Sequence, residues 1–200
     1  KLAMWLFLAS DAMGFIGFLG TYMVLRIAAP LRVVDAGVHI GGGWRQVGDP
    51  EFGIPLTALM TFVLICSSVT MVLGLAAIKR GDQKKLLMWL GATICGGLFF
   101  LSCQVYEWTH LMHAGLSAAT SNYAATFFFL TGFHGAHVTT GVVYLSCIWI
   151  GAKRGHYSAE KNSPVELVGL FWHFVDLVWI VLFTVIYLLP EPAPLQAGGS

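Results

Sequence analysis

Residues 127–141, FFFLTGFHGAHVTTG, and residues 171–183, FWHFVDLVWIVLF, decide how this chain is read. Each is a long apolar run that carries ionisable groups: His134 and His137 in the first, His173 and Asp176 in the second. An ionised side chain in such surroundings costs about 3 kcal/mol unless it faces protein. These four residues are functional candidates for that reason alone.

Composition says what surrounds them. Of 200 residues, 57% are hydrophobic and 10% are charged, and the mean hydropathy is +0.76. A water-soluble domain carries about 25% charged residues. With so few charges the chain cannot cover a watery surface, so its outer solvent is lipid. A net charge of +1 argues against nucleic acid as a partner. The four cysteines (Cys66, Cys95, Cys103 and Cys147) all lie in apolar runs with no CxxC pair, which predicts buried, inert thiols rather than disulfides or a zinc site. The chain begins at Lys1, not Met, which leaves room for a preceding segment or for processing. The first run is too long, and lacks the small-residue site, for a cleavable leader.

Five apolar runs are long enough to cross a hydrocarbon core, which takes about 20 helical residues. They cover residues 2–27, 54–79, 86–110, 123–151 and 164–189. Backbone groups cannot stay unpaired in lipid, so these runs are helices. The expected fold is all-α: a polytopic membrane bundle of five transmembrane helices, forming one domain over residues 1–189, with 190–200 a flexible Pro-rich tail. Residues 28–53, with Pro30, Pro50 and Gly41–Gly43, read as an irregular polar connection. Residues 80–85 (RGDQKK) read as a tight charged turn, and Ser163-Pro164 opens the last helix. With the N-terminus inside, eight cations fall on the inner side: Lys1, Lys79, Arg80, Lys84, Lys85, Lys153, Arg154 and Lys161. Only three, Arg26, Arg32 and Arg45, fall outside. That asymmetry predicts the N-terminus inside and the C-terminus outside. No internal repeat is evident, which weakens a transporter reading.

Helical periodicity then sorts the polar groups. Asp11 shares a face with Phe7, Phe15, Phe18 and Tyr22, about 15 Å in from the inner end. Two readings stand side by side: a proton-exchanging or partner-facing carboxyl, or a protonated carboxyl bonded to a neighbouring helix. Ser10, Gly14 and Gly17 form an adjacent stripe of the kind that lets helices approach closely. Gln104, Glu107 and His110 recur at i, i+3 and i+6, and an interfacial polar cap under Tyr106 and Trp108 is preferred there to a catalytic role. His134 and His137 have metal-ligand spacing, yet the glycines around them, Gly132, Gly135 and Gly141, favour hydrogen-bonded packing histidines. On the last helix Trp172, Asp176, Trp179, Phe183 and Tyr187 line one face. His173 is placed to pair with Asp176 across one turn, as a proton relay or as a closed, neutralised pair. Asp11, His173 and Asp176 lie at similar depth and can meet if their helices are neighbours.

The stretches KLAMWLFLASDAMGF (1–15), QVYEWTHL (104–111), TFFFLTGFHGAHVTTG (126–141) and GLFWHFVDLVWIVLFTVIYLL (169–189) resemble, in order, the signature segments of subunit III of haem-copper terminal oxidases. The resemblance covers almost the whole chain and matches the five-helix form. It implies an integral subunit that binds no haem or copper itself and packs on the catalytic subunit I, which reduces oxygen to water and pumps protons. It implies that Asp11 corresponds to a buried carboxyl beside that subunit. Gln104, Glu107, His134, His137, His173 and Asp176 would line internal polar contacts. It further implies support of proton uptake, stabilisation of the catalytic subunit, bound phospholipid, contact with other oxidase subunits and membrane lipids, room for a place in a respiratory supercomplex, and a bacterial cytoplasmic (inner) membrane. Asp rather than Glu at position 11, with the closing segment, leans toward the quinol-oxidising branch. The competing reading is a haem b-binding electron-transfer protein with His134 and His173 as axial ligands. Its ligands would be offset by about 12 Å along the membrane normal, so the first reading is preferred.

Overall fold

The computed structural model describes residues 1–28, 32–34, 37–39, 54–119 and 121–189. Five long helices account for nearly all of them: α1 (Leu2–Ile27), α2 (Ile54–Lys79), α3 (Gln83–His113), α4 (Asn122–Lys153) and α5 (Ser163–Phe183). A π-helical turn, Thr184–Leu188, continues α5. All five are long and apolar enough to cross a membrane. At 31 and 32 residues, α3 and α4 run about 46–48 Å, well beyond a hydrocarbon core of about 30 Å. Their ends therefore reach the headgroup zones.

The helix limits follow from caps. Asp82 accepts a hydrogen bond from the Lys85 backbone N–H at 3.1 Å, so Gln83, Lys84 and Lys85 are helical and the charged turn shrinks to residues 80–82. Lys85 holds the Asp82 carboxyl below the usual carboxylate range, through its backbone N–H and then its ammonium. Ser121 caps α4 through the Ala124 N–H. Gly81 and Gly155 take φ of 76° and 75°, the left-handed conformation that ends α2 and α4 and that a side chain would strain. In the connection after α1, Arg32–Val34 and Gly37–His39 pair antiparallel, with Val33 opposite Val38. The expected irregular stretch therefore contains a short ladder where β-branched residues favour extension. The rest of that connection, and the tail expected to be flexible, lie outside the described residues.

Lys1 and Glu166 form an ion pair of 2.6 Å, and Gln83 donates to the Ala152 carbonyl at 2.6 Å. The start of α1, the α2–α3 turn and the α4–α5 turn thus share one end of the bundle, hereafter the basic end. α2 and α3 form a tight antiparallel pair: a Cβ on Gly96 would stand 2.9 Å from Ser67 Cβ. Trp172 and Trp179 of α5 are almost fully buried between α2, α3 and α4. α1 is the peripheral helix and packs on α4 and α5. Its other face is open, with Met13 74%, Ile16 68% and Ile27 81% exposed. Cys66, Cys95 and Cys147 also point outward, and Cys103 is half-buried. The expectation of buried thiols fails because a helix that is apolar all round does not disclose which face meets lipid.

Candidate functional site: three carboxyls between helices and an open helix face

The first carboxyl joins α1 to α4. Asp11 Oδ2 lies 3.2 Å from His137 Nε2, and His137 Nδ1 lies 2.9 Å from the Phe133 carbonyl. A carbonyl only accepts, so Nδ1 carries a hydrogen. The Asp11–His137 contact then needs one further proton, held either by the carboxyl or by Nε2. The pair is a one-proton device with two places for that proton. Phe15 and Phe133 pack their rings 5.2 and 4.7 Å from His137. The two side chains keep 20% and 15% exposure toward the outside of the bundle. A groove of about 300 Å³ lined by Met4, Phe7, His137, Thr140, Tyr144 and Phe171 runs beside them. Asp11 does not join His173 and Asp176, because α1 lays its carboxyl onto α4 rather than toward that part of α5.

The second carboxyl joins α2 to α5. His173 and Asp176 do not bond each other directly, contrary to the expected one-turn pair. Ser68 stands between them: its hydroxyl donates to Asp176 Oδ2 and lies 2.8 Å from His173 Nδ1. The Ser68 hydroxyl thus lies between the carboxyl and the imidazole and links α2 to both. Asp176 Oδ1 has no partner. The adjacent Ser67 accepts from Trp172 Nε1 at 3.0 Å, so a Ser67-Ser68 pair serves two ring systems of α5.

The third carboxyl ties α2, α3 and the π-helical turn. Glu107 Oε1 accepts from Thr57 at 3.1 Å and Oε2 from the Tyr187 hydroxyl at 3.0 Å. Glu107 is only 6% exposed, so the interfacial cap expected there is not what forms. The cause is visible in the elements. α3 continues to His113, and the π-helical turn brings Tyr187 over Glu107, so the residue sits deeper than the sequence run implies. His110 does stay exposed, stacked beside Tyr106.

The remaining candidates are packing groups. Gln104 donates to the Thr131 carbonyl at 2.7 Å and lies over Gly135, where a Cβ would come within 3.1 Å of its amide. His134 is fully buried with no partner for either ring nitrogen. It is held by rings instead of by the expected hydrogen bonds: Trp179 stacked at 5.0 Å and Phe100 edge-on at 5.7 Å. Both ring nitrogens of His134 are enclosed by packed side chains, which leaves no room for a macrocycle at either, while His173 turns to Ser68, so the haem-ligand pair is not favoured. Among the described residues, no three His, Cys, Asp or Glu side chains cluster as a metal site would require. The Ser10/Gly14/Gly17 stripe is not a seam within this chain: a Cβ on Gly14 or Gly17 meets nothing within 4 Å, and Ser10 is exposed.

Thr57, Ser68 and Tyr187 were not singled out as partners by sequence reasoning. Ser67-Ser68, two hydroxyls in the middle of an apolar run, carried the signal. Tyr187 was visible as the last member of the Trp172–Tyr187 face. Thr57 offered none, since a threonine in a transmembrane helix usually satisfies itself on its own backbone.

Known proteins match the sequence along almost its whole length. The family model described as cytochrome c oxidase subunit III matches residues 1–190. Cytochrome c oxidase subunit 3 of Synechocystis sp. is 40% identical over 185 residues, covering 92% of this chain and 73% of that protein. The same subunit of Thermostichus vulcanus is 36% identical over 190 residues, covering 94% and 86%. Quinol oxidase subunit 3 of Bacillus subtilis is 32% identical over 188 residues, again covering 94% and 86%. Five membrane-crossing helices and these bacterial relatives make the chain an integral protein of a bacterial membrane. The chain belongs to the subunit III family of haem-copper respiratory oxidases.

Proposed function

We propose that this chain is a non-catalytic subunit that packs on the haem- and copper-containing catalytic subunit through the open face of α1, stabilises it, and supports proton uptake during oxygen reduction. The observation that carries the reading is the Asp11–His137 contact near the middle of α1, which keeps 20% and 15% exposure, on a helix whose Gly14 and Gly17 positions meet nothing else in this chain and whose Ser10 is exposed. Small residues let a partner helix approach closely, and a carboxyl beside such a contact can pass its proton to the neighbouring surface. In this reading the basic end faces the cytoplasm, in keeping with its eight cations. The Ser68 and Glu107 clusters hold the bundle together rather than react, and haem and copper belong to the partner.

The test is affinity purification of the full chain from its own membrane in mild detergent, with optical spectra and mass spectrometry. A large subunit carrying haem and copper should co-purify, and the separated chain should be colourless. The electron-donating subunit recovered with it would separate cytochrome c from quinol as donor. A chain that comes out alone and carries its own haem would overturn the reading and turn attention to His134 and His173.

A further inference from the structure

Asp11 uses only half of its carboxyl. Oδ2 lies against His137 Nε2 at 3.2 Å, whereas Oδ1 takes no hydrogen bond from the described residues and is not enclosed. Wherever the shared proton sits, on Nε2 or on Oδ2, Oδ1 remains an acceptor. One turn from His137 toward the basic end, about 4.5 Å along α4, comes Thr140. Its hydroxyl donates to the Ala136 carbonyl at 2.9 Å, so it has only lone pairs left to offer. Thr140 lines the groove of about 300 Å³ between α1 and α4, and Asp11 stands at the end of that groove nearest the middle of α1. The walls are aromatic. Phe7 and Phe171 hold their ring centroids 6.4 Å apart, and Tyr144 and Met4 complete the lining. Phe7 is 50% exposed, and Ala136 and Thr140 are exposed, so the groove opens sideways from the bundle.

We propose that this groove binds the head ring of a membrane-soluble hydroquinone, with one ring hydroxyl donating to Asp11 Oδ1, the other to Thr140, and the tail leaving into the bilayer. Three features select that chemistry. The groove lies on membrane-crossing helices and opens toward lipid, so its ligand arrives dissolved in the bilayer. Aromatic walls and a volume at the low end of small-molecule sites suit one flat ring. Two acceptors one turn apart call for a ring that carries two hydroxyl donors. A hydrocarbon chain would fill the apolar walls and leave Oδ1 unpaired. An oxidised quinone, whose carbonyls only accept, would do the same. Every group named belongs to this chain, so the site does not require the catalytic subunit.

The test uses the full chain in nonionic detergent under argon, titrated separately with decylubiquinol, its oxidised form decylubiquinone, and 1-decanol. Bound ligand is counted by native mass spectrometry and melting temperature is followed in parallel. Decylubiquinol should bind saturably and decylubiquinone about tenfold more weakly, the usual worth of one hydrogen bond to a carboxylate. The aliphatic alcohol, which has no ring for the aromatic walls, should not saturate. Thr140→Trp fills the groove from an exposed position and should abolish binding with the melting temperature unchanged. Asp11→Leu should erase the preference for the reduced ring. Thr126→Trp fills a separate groove, beside Phe18, Thr21 and Phe129 at the other end of the α1–α4 seam, and should bind decylubiquinol as the parent does. Four results would each overturn the proposal: no saturable binding of decylubiquinol, equal affinity for the oxidised ring or for 1-decanol, retained binding in Thr140→Trp, or an equal loss in Thr126→Trp.

Discussion

His137 Nε2 stands 3.2 Å from Asp11 Oδ2 and is a polar tie between the peripheral helix α1 and α4 near the middle of α1. Two variants separate its possible duties. Asparagine at position 11 keeps a hydrogen bond, because its amide donates to Nε2 while Nδ1–H stays on Phe133, but it cannot hold an exchangeable proton. Alanine removes both. Asp11→Asn should assemble with the catalytic subunit and slow proton uptake, whereas Asp11→Ala should weaken assembly as well, with the bundle still inserting. Turnover and proton pumping of the purified oxidase complex measure the first effect, and subunit ratio the second. Unchanged turnover and pumping in Asp11→Asn would remove the proton role and leave only the structural tie.

The number and place of the helices are legible because lipid imposes length and apolarity on every segment that crosses it. Asp11, His137, His173 and Asp176 stand out for the same reason, as polar groups in segments that should have none. Their partners do not. Pairing across helices depends on which faces meet, and helices that are apolar on every side give periodicity little to work with. Hence Ser68, an unremarkable hydroxyl, separates His173 from Asp176, and Asp11 finds His137 rather than either. Glu107 is among the internal polar contacts the resemblance implies, but periodicity reads it as an interfacial cap, and its bond to Tyr187 of the π-helical turn at Thr184–Leu188 is announced by nothing in TVIYL.

The bridging position of Ser68 sets an order of stabilities. Ser68→Ala leaves a buried carboxyl and an imidazole without the group that satisfied them. Each unsatisfied buried group costs about 1–3 kcal/mol. Asp176→Leu removes the carboxyl, including the Oδ1 that already lacks a partner, and puts an apolar side chain in its place. The serine variant should therefore melt lower than the aspartate variant, although both should melt below the parent. Thermal unfolding of the purified chain in one detergent reads the order directly. An Asp176→Leu protein with unaltered stability would mean that the Ser68 bridge contributes nothing.

The Glu107 clasp should tolerate an amide and reject a hydrocarbon. In Glu107→Gln the side chain still offers one acceptor and gains donors, and both Thr57 and Tyr187 carry hydroxyls that can turn to accept. In Glu107→Leu the two hydroxyls lose their common acceptor in a dry interior, and each lost hydrogen bond costs about 1 kcal/mol. Tyr187→Phe removes one arm only. A double-mutant cycle with Thr57→Val and Tyr187→Phe should give a non-zero coupling, because both act on one carboxylate. Strict additivity would show that the two contacts are independent and that the clasp is not a unit.

Among the described residues, Gly97 on one hand and Gly14 and Gly17 on the other have opposite predicted phenotypes. A Cβ on Gly97 would come 2.6 Å from Trp172 Cη2 and 2.7 Å from Val142 Cγ2. Gly97→Ala should therefore cost about 1–3 kcal/mol by overpacking. Gly14 and Gly17 have nothing within 4 Å of the same position. Gly14→Leu and Gly17→Leu should leave the isolated chain as stable as the parent, since the added side chains project outward from α1. In the membrane of origin those leucines should stand where a partner helix approaches. The double variant should then lose the catalytic subunit during purification while the Gly97→Ala chain, once folded, retains it. Stability of the separated chain and recovery of the complex are measured on the same preparations. If the Gly14→Leu/Gly17→Leu chain co-purifies in full yield, the open face of α1 is turned to lipid and the contact with the oxidase lies on another helix.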